Sequence, residues 1–130
     1  MDGDIIEVEG KSQLIEVRLW GIDCPEKNQP WGKRARQFTT DNAFGKTVLI
    51  DPIAEDHYGC IKGVVILPDG ERVLNIELIK AGLAWWDKLH APEADAYRKL
   101  EMAARSEKRG LWSDSNPKPP WEWRKDEGHD

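Results

Sequence analysis

The sequence has little of several features that would place it in a class at once. It has two cysteines, Cys24 and Cys60, too few to define a redox compartment, and its three histidines are scattered. No His or Cys cluster has the spacing of a zinc site, no apolar run is long enough for a membrane span, and no segment repeats. No apolar leader follows Met1. A basic excess is lacking too: the net charge is −5, which argues weakly against tight non-specific nucleic-acid binding.

What is present indicates one folded domain of mixed α+β class. The chain of 130 residues is 39% hydrophobic, enough for a single core. Alternating apolar residues predict strands and a 3.6-residue period predicts helices. The predicted strands are 5–9, 13–22, 47–53 and 60–67, and the predicted helices are 31–44, 73–81 and 92–108. From Ser113 onward the sequence predicts a Pro- and Trp-rich tail, with Trp121 and Trp123 attaching it to the body.

The most informative stretch runs from Arg18 to Glu26, at the end of the second predicted strand. Arg18 lies on the polar face of that strand, while Gly21 and Pro25 indicate that the chain leaves it as a loop. Arg18, Asp23 and Glu26 therefore gather around one strand end. A cation, a metal-binding carboxylate and a general base so close together indicate chemistry on a phosphate. Taken alone, the stretch is equally consistent with a surface ion pair.

A second carboxylate upstream favours the chemical interpretation. Asp2-Gly3-Asp4 precedes the first predicted strand, so Asp4 lies where the chain enters the sheet. Asp4, Asp23 and the backbone carbonyl of Cys24 offer hard oxygen ligands, which suit Ca²⁺ better than zinc. An Asp-Gly-Asp alone is usually only a turn. Its pairing with the later stretch is what predicts a metal site.

These residues resemble the staphylococcal nuclease-like (thermonuclease) domains. The family signature is Asp-Gly-Asp-Thr followed by Arg-Leu-x-x-Ile-Asp-x-Pro-Glu, and this chain has Asp2 to Ile5 and Arg18 to Glu26. The likeness extends over nearly the whole chain, through 29–32, 56–59, 74–75, 82–86, 109–112 and 119–124. The resemblance implies a nuclease-like domain over 1–112 and a tail over 113–130.

The implied fold is a small five-stranded barrel of the oligonucleotide-binding type, flanked by three helices. Family members carry a further strand before the Asp-Gly-Asp, whereas here only Met1 precedes Asp2. We therefore expect the first barrel strand to be missing or truncated, or the chain to be a fragment of a longer protein. An unpaired barrel edge predicts a homodimer or a marginally stable domain.

The resemblance also implies roles for the site residues. Asp4, Asp23 and the Cys24 carbonyl would hold Ca²⁺ beside the scissile phosphate, Glu26 would orient or deprotonate the attacking water, and Arg18 would bind the phosphate. The substrate would be DNA or RNA, cut with little sequence preference. Bacterial members are often exported, but this chain leaves its compartment open.

One departure from the family pattern bears on the rate. The second signature is Asp-x-Tyr-Gly-Arg, and Cys60 stands where its arginine would be. Tyr58 and Lys62 remain as substrate-binding candidates, but a lysine does not reproduce the bidentate fork of an arginine. Asp87, Lys88 and His90 occupy a segment where relatives carry nucleotide-contacting tyrosines. We expect an impaired Ca²⁺-dependent nuclease, with a non-catalytic nucleic-acid or protein binding module on the same fold as the alternative.

Overall fold

The computed structural model describes residues 2–56 and 59–128 and confirms the α+β class. Its helices are α1 (Gly32–Ala43), α2 (Leu74–Lys80), α3 (Asp95–Ser106) and α4 (Pro120–Asp126), with a 3₁₀ turn at Gly110–Ser113. Its strands are β1 (Ile5–Gly10), β2 (Gln13–Leu19), β3 (Ile22–Asp23), β4 (Leu49–Glu55), β5 (Ile61–Ile66) and β6 (Trp85–Trp86). The first three helices lie within the ranges that the sequence predicts.

The main sheet has the order β1-β2-β5-β4, and β3 and β6 form a separate antiparallel pair. β1 pairs with β2 antiparallel, and β5 lies parallel to β2 with Arg18 opposite Lys62. Among the described residues, β1 and β4 are the two ends of this order, so their hydrogen-bonded pairs do not themselves close the barrel. The alternation of β2 buries Val17 and Leu19 and leaves Arg18 on the opposite face.

The strand predicted over 13–22 is wrong in one respect, because the chain breaks it at Gly21. Gly21 has a φ of +80°, and the ring of Tyr97 lies 2.7 Å from where a Cβ would stand. Glycine alone accepts both the left-handed backbone and this close contact. After the break, Ile22 pairs with Trp86 and Asp23 with Trp85. The break therefore turns Asp23 away from the main sheet.

The core lies between the main sheet and the first three helices. Its largest fully buried side chains include Leu19, Leu67, Leu74, Leu78 and Ile79. A second, smaller cluster joins Trp85, Ala104, Leu111 and Trp112, with Trp121 packed against it. In the part of the chain that the structure describes, no helix is long and apolar enough to cross a membrane.

The tail contains a helix that the sequence pattern does not predict. α4 starts with Pro120 at its first turn, a position where the missing amide hydrogen costs nothing. The ring of Trp121 meets Trp85 edge-on with centroids 5.5 Å apart, so the expected attachment through Trp121 is confirmed. Trp123 instead contacts Lys118 within the tail itself. The tail therefore returns to the body of the domain.

Candidate active site

One pocket of about 510 Å³ collects the side chains of most of the predicted site residues. Asp4 precedes β1, Arg18 lies near the end of β2, Asp23 is in β3, Glu26 is in the following loop and Lys62 is in β5. The lining consists of Asp2, Asp4, Ile5, Arg18, Asp23, Glu26, Lys62, Asp87, Lys88, Leu89, His90, Trp121 and Arg124. Separate segments thus bring five predicted residues to one place.

Asp4 is held at the base of this arrangement by the chain that follows β3. The amide of Cys24 donates a hydrogen bond to Asp4 Oδ2 at 3.2 Å. Burial, followed by the nearby negative charge of Asp23, raises the pKa of Asp4 to about 7. The two carboxylates therefore repel each other in a poorly hydrated place, which is the situation that a bound cation relieves.

Glu26 is fixed by its backbone rather than by its own side chain alone. Its amide donates to Gln29 Oε1 at 3.0 Å, and the adjacent Lys27 amide donates to Asp2 Oδ1 at 2.9 Å. Gly32 begins α1 directly against this loop, since a Cβ there would lie 1.8 Å from the Glu26 carbonyl oxygen. Burial, and then contact with Asp2, raises the pKa of Glu26, a direction that suits a proton acceptor working near neutral pH.

Arg124 is not among the site residues predicted from the sequence, and the structure brings it into the same pocket from α4. Its Nη2 donates to Asp23 Oδ2 at 2.8 Å, and its Nη1 donates to Asp23 Oδ1 at 3.2 Å and to Glu26 Oε2 at 3.1 Å. The hydrogen bond with Asp23 is the largest cause of a raised pKa for Arg124. Burial raises the pKa of Asp23 in spite of this partner. A signal for the helix was available in Pro120, an early Glu122 and a late Arg124-Lys125 pair.

Cys60 does not line the pocket. Its Sγ donates to Glu16 Oε2 at 3.4 Å, and Arg18 Nε lies 3.6 Å from the same oxygen. Burial, and then Glu16, raises the pKa of Cys60, so its sulfur stays a protonated thiol at neutral pH. A protonated thiol is a poor nucleophile, so this environment argues against nucleophilic catalysis by Cys60. Of the two substrate-binding candidates, Lys62 lines the pocket and Tyr58 lies outside the described residues.

The remaining polar residues of the pocket come from the turn after β6. Asp87 holds His90 through its carboxylate, with Oδ2 3.0 Å from Nδ1. With Asp87 the pocket has five carboxylates, against the four permanent cations Arg18, Lys62, Lys88 and Arg124. When every carboxylate is ionised, this balance is slightly negative. A polyanion would therefore be attracted only with added positive charge.

Among the described residues, the structure provides two carboxylate donors for the predicted metal site but not a full set of side-chain ligands. Asp4 and Asp23 are hard oxygen donors placed close enough to raise the pKa of Asp4. Across residues 2–56 and 59–128, no group of three or more His, Cys, Asp or Glu side chains is arranged to hold a metal ion. Two carboxylates do not complete a Ca²⁺ site, so further ligands would have to come from backbone, water or substrate oxygens.

Comparison with known proteins identifies the lineage of this pocket. A family model described as Staphylococcal nuclease homologue matches residues 16–114. The chain belongs to this family. It is 40% identical over 124 residues to an uncharacterized endonuclease from Escherichia coli, an alignment covering 95% of this chain and 80% of that protein.

Two further relatives support the family membership. A micrococcal nuclease from Shigella flexneri is 38% identical over 133 residues, which cover 96% of this chain and 76% of that protein. An uncharacterized endonuclease from Haemophilus influenzae is 32% identical over 127 residues, covering 97% and 70% respectively. The thermonuclease-like resemblance found from Arg18 to Glu26 is thereby confirmed.

Proposed function

We propose that this protein is a Ca²⁺-dependent phosphodiesterase that hydrolyses DNA or RNA with little sequence preference. The observation that carries the proposal is the convergence of Arg18, Glu26 and the Asp4–Asp23 pair on one pocket. Nuclease-named relatives across nearly the whole chain support the same reaction class.

In this proposal each side chain has a distinct task. Glu26 accepts the proton of the attacking water, and its raised pKa brings its basicity closer to that needed at neutral pH. Arg18 binds the phosphate, and Lys62 beside it on β5 adds a second positive charge. Asp4 and Asp23, with the Cys24 carbonyl, would hold Ca²⁺, which would offset the charge growing on the phosphate.

We further propose that the rate is lower than this arrangement would allow with a second arginine at position 60. Cys60 carries no charge as a thiol, and its sulfur is directed to Glu16. An arginine in a comparable phosphoryl-transfer role changes the rate by about 10³ to 10⁵. Lys62 lies on the strand face of Arg18 and supplies charge without the bidentate fork.

A second candidate function, a non-catalytic binding module, is favoured by one observation. Arg124 occupies both oxygens of Asp23 and one oxygen of Glu26. If those contacts persist with nucleic acid present, the carboxylates would be unable to act on water. The pocket would then bind a nucleic acid or a protein without turnover.

We also propose that β1 pairs with a second copy of the chain. β1 is an end of the described sheet order, and a groove of about 690 Å³ runs beside it and the end of α1. Phe44 lines this groove and is 81% exposed. An open edge with apolar flanks favours strand pairing. Light scattering should give a dimer mass, and a monomer at all concentrations would contradict the idea.

The experiment that tests the main proposal compares two arginines of equal charge. Initial rates of single-stranded DNA hydrolysis are measured in Ca²⁺ for the wild type, Arg18→Gln and Arg36→Gln. Arg36 is exposed on α1 and lies in the groove beside β1 rather than in this pocket. We expect Arg18→Gln to lower kcat/KM by about 10²-fold or more, and Arg36→Gln to stay near the wild type. Equal rates for the two variants would refute the assignment.

A further inference from the structure

α4 is fixed to the domain at its start, by residues on the N-terminal side of Arg124. Trp121 packs against Trp85, and Pro120 is fully buried. Gln29 Nε2 donates to the Lys118 carbonyl at 2.6 Å, just before the helix. These three contacts position the start of the helix that carries Arg124, whose side chain is only 30% exposed.

The same glutamine connects the tail to the proposed base. Gln29 is 6% exposed; it accepts the Glu26 amide through Oε1 and donates through Nε2 to Lys118. The loop that carries Glu26 and the segment that carries Arg124 are therefore positioned by one buried side chain. This arrangement sets the guanidinium at a fixed place in the pocket rather than on a free terminus.

The chemistry of the guanidinium indicates what it binds there. Arginine keeps its charge at every accessible pH and has five N–H donors, of which Nη1 and Nη2 make the three contacts with Asp23 and Glu26. A phosphate offers the same bidentate geometry as a carboxylate. When Asp23 shares its oxygens with a cation, Arg124 needs another anion, and the pocket that it lines is the one that also contains Arg18.

We propose that Arg124 is a substrate-binding arginine that contacts the nucleic-acid phosphate, as a second guanidinium in the pocket of Arg18. This inference rests on the proposed nuclease function and names a further residue of the same site. It also gives the C-terminal helix a role in the reaction, because Trp121 and Gln29 place the arginine.

The test is oligonucleotide binding, which does not depend on turnover. A fluorescent single-stranded phosphorothioate DNA is titrated in Ca²⁺ buffer, at several salt concentrations, with wild type, Arg124→Gln, Arg124→Lys, Arg18→Gln and Lys125→Gln. Lys125 is the matched control, since it is exposed on the same helix, carries the same charge and does not line the pocket.

Arg124→Gln should weaken binding by about 10-fold or more, the loss of a charged hydrogen-bonded contact. It should also lower the slope of log affinity against log salt by about 0.7, the share of one phosphate contact with a single strand. The affinity of Arg124→Lys should lie between those of the wild type and Arg124→Gln. Arg124→Lys also serves as the second variant if Arg124→Gln does not fold. Lys125→Gln should stay within about 2-fold of the wild type.

The outcomes separate this inference from the proposed function. If Arg18→Gln weakens binding but Arg124→Gln binds as tightly as wild type, or loses no more than Lys125→Gln, Arg124 is only a clamp on the carboxylates and the inference fails alone. A wild type that does not bind the oligonucleotide, or binds it no better than Arg18→Gln does, contradicts the proposed function and this inference together.

Discussion

Replacing Cys60 by arginine should raise the rate of hydrolysis, and the structure indicates what limits the gain. The register pairs Val17 with Ile61 and Arg18 with Lys62, so position 60 lies on the Lys62 face beside Glu16. A guanidinium there reaches towards the phosphate position near Arg18. It also meets the Glu16 carboxylate, which already lies 3.6 Å from Arg18 Nε.

The size of each effect follows from these contacts. Part of the electrostatic contribution of an arginine should raise kcat by about 10²-fold or more. Glu16 is 45% exposed, and an exposed ion pair with the new arginine is worth about 0.2–1 kcal/mol. Glu16→Gln in the Cys60→Arg background should therefore add at most about 5-fold.

The assay is the initial rate on single-stranded DNA in saturating Ca²⁺ for wild type, Cys60→Arg, Glu16→Gln and the double variant. Cys60→Arg in the Glu26→Gln background should give no gain in rate, because charge stabilisation without proton removal from water does little. A Cys60→Arg protein no faster than a wild type that is itself active would contradict this prediction, since another cation such as Arg124 or Lys62 would then already supply the charge.

Three further predictions follow from the same pocket. Calorimetry should detect weak Ca²⁺ binding that Asp23→Ala abolishes; equal binding by both proteins would reject this ligand. In EDTA, the free energy of unfolding should fall by at most about 4 kcal/mol as the pH rises from about 4 to 7, because folded Asp4 holds its proton after the unfolded chain has lost it. In urea titrations, the unfolding free energy of Asp4→Asn should lack this fall with pH. An unchanged fall would assign it to other groups. Trp121→Ala should lower stability by about 2 kcal/mol and weaken oligonucleotide binding, whereas exposed Glu122→Ala should do neither; a Trp121→Ala protein that binds like the wild type would show that α4 does not serve the site.

The sequence could predict the part of the site that depends on local pattern. Period-two alternation in β2 places Arg18 opposite the buried Val17 and Leu19, and the structure agrees. The signature from Arg18 to Glu26 then locates Asp23 and Glu26 around the same strand end, because only a few residues separate them. Asp4 is more distant along the chain, but the short β1–β2 hairpin returns the chain to the same end of the sheet.

The rest depends on contacts that no local pattern contains. Arg124 reaches Asp23 across 101 positions of sequence, through a seven-residue helix that has little stability without its tertiary contacts. The pairing of β3 with β6 involves two residues on each side. From the sequence, Gly21 indicates only a loop, whereas in the structure the ring of Tyr97 fills the space beside it. In each case the deciding partner is far away in sequence.

The role of Glu26 is tested by Ca²⁺-dependent hydrolysis of single-stranded DNA by wild type and Glu26→Gln, purified in parallel. Glu26 is the residue proposed to take the proton from water, and its glutamine form keeps the shape while removing the base. We expect cleavage by the wild type that EDTA stops, and a rate at least about 10²-fold lower for Glu26→Gln. Equal cleavage by the two proteins, or none by the wild type in Ca²⁺, would contradict it.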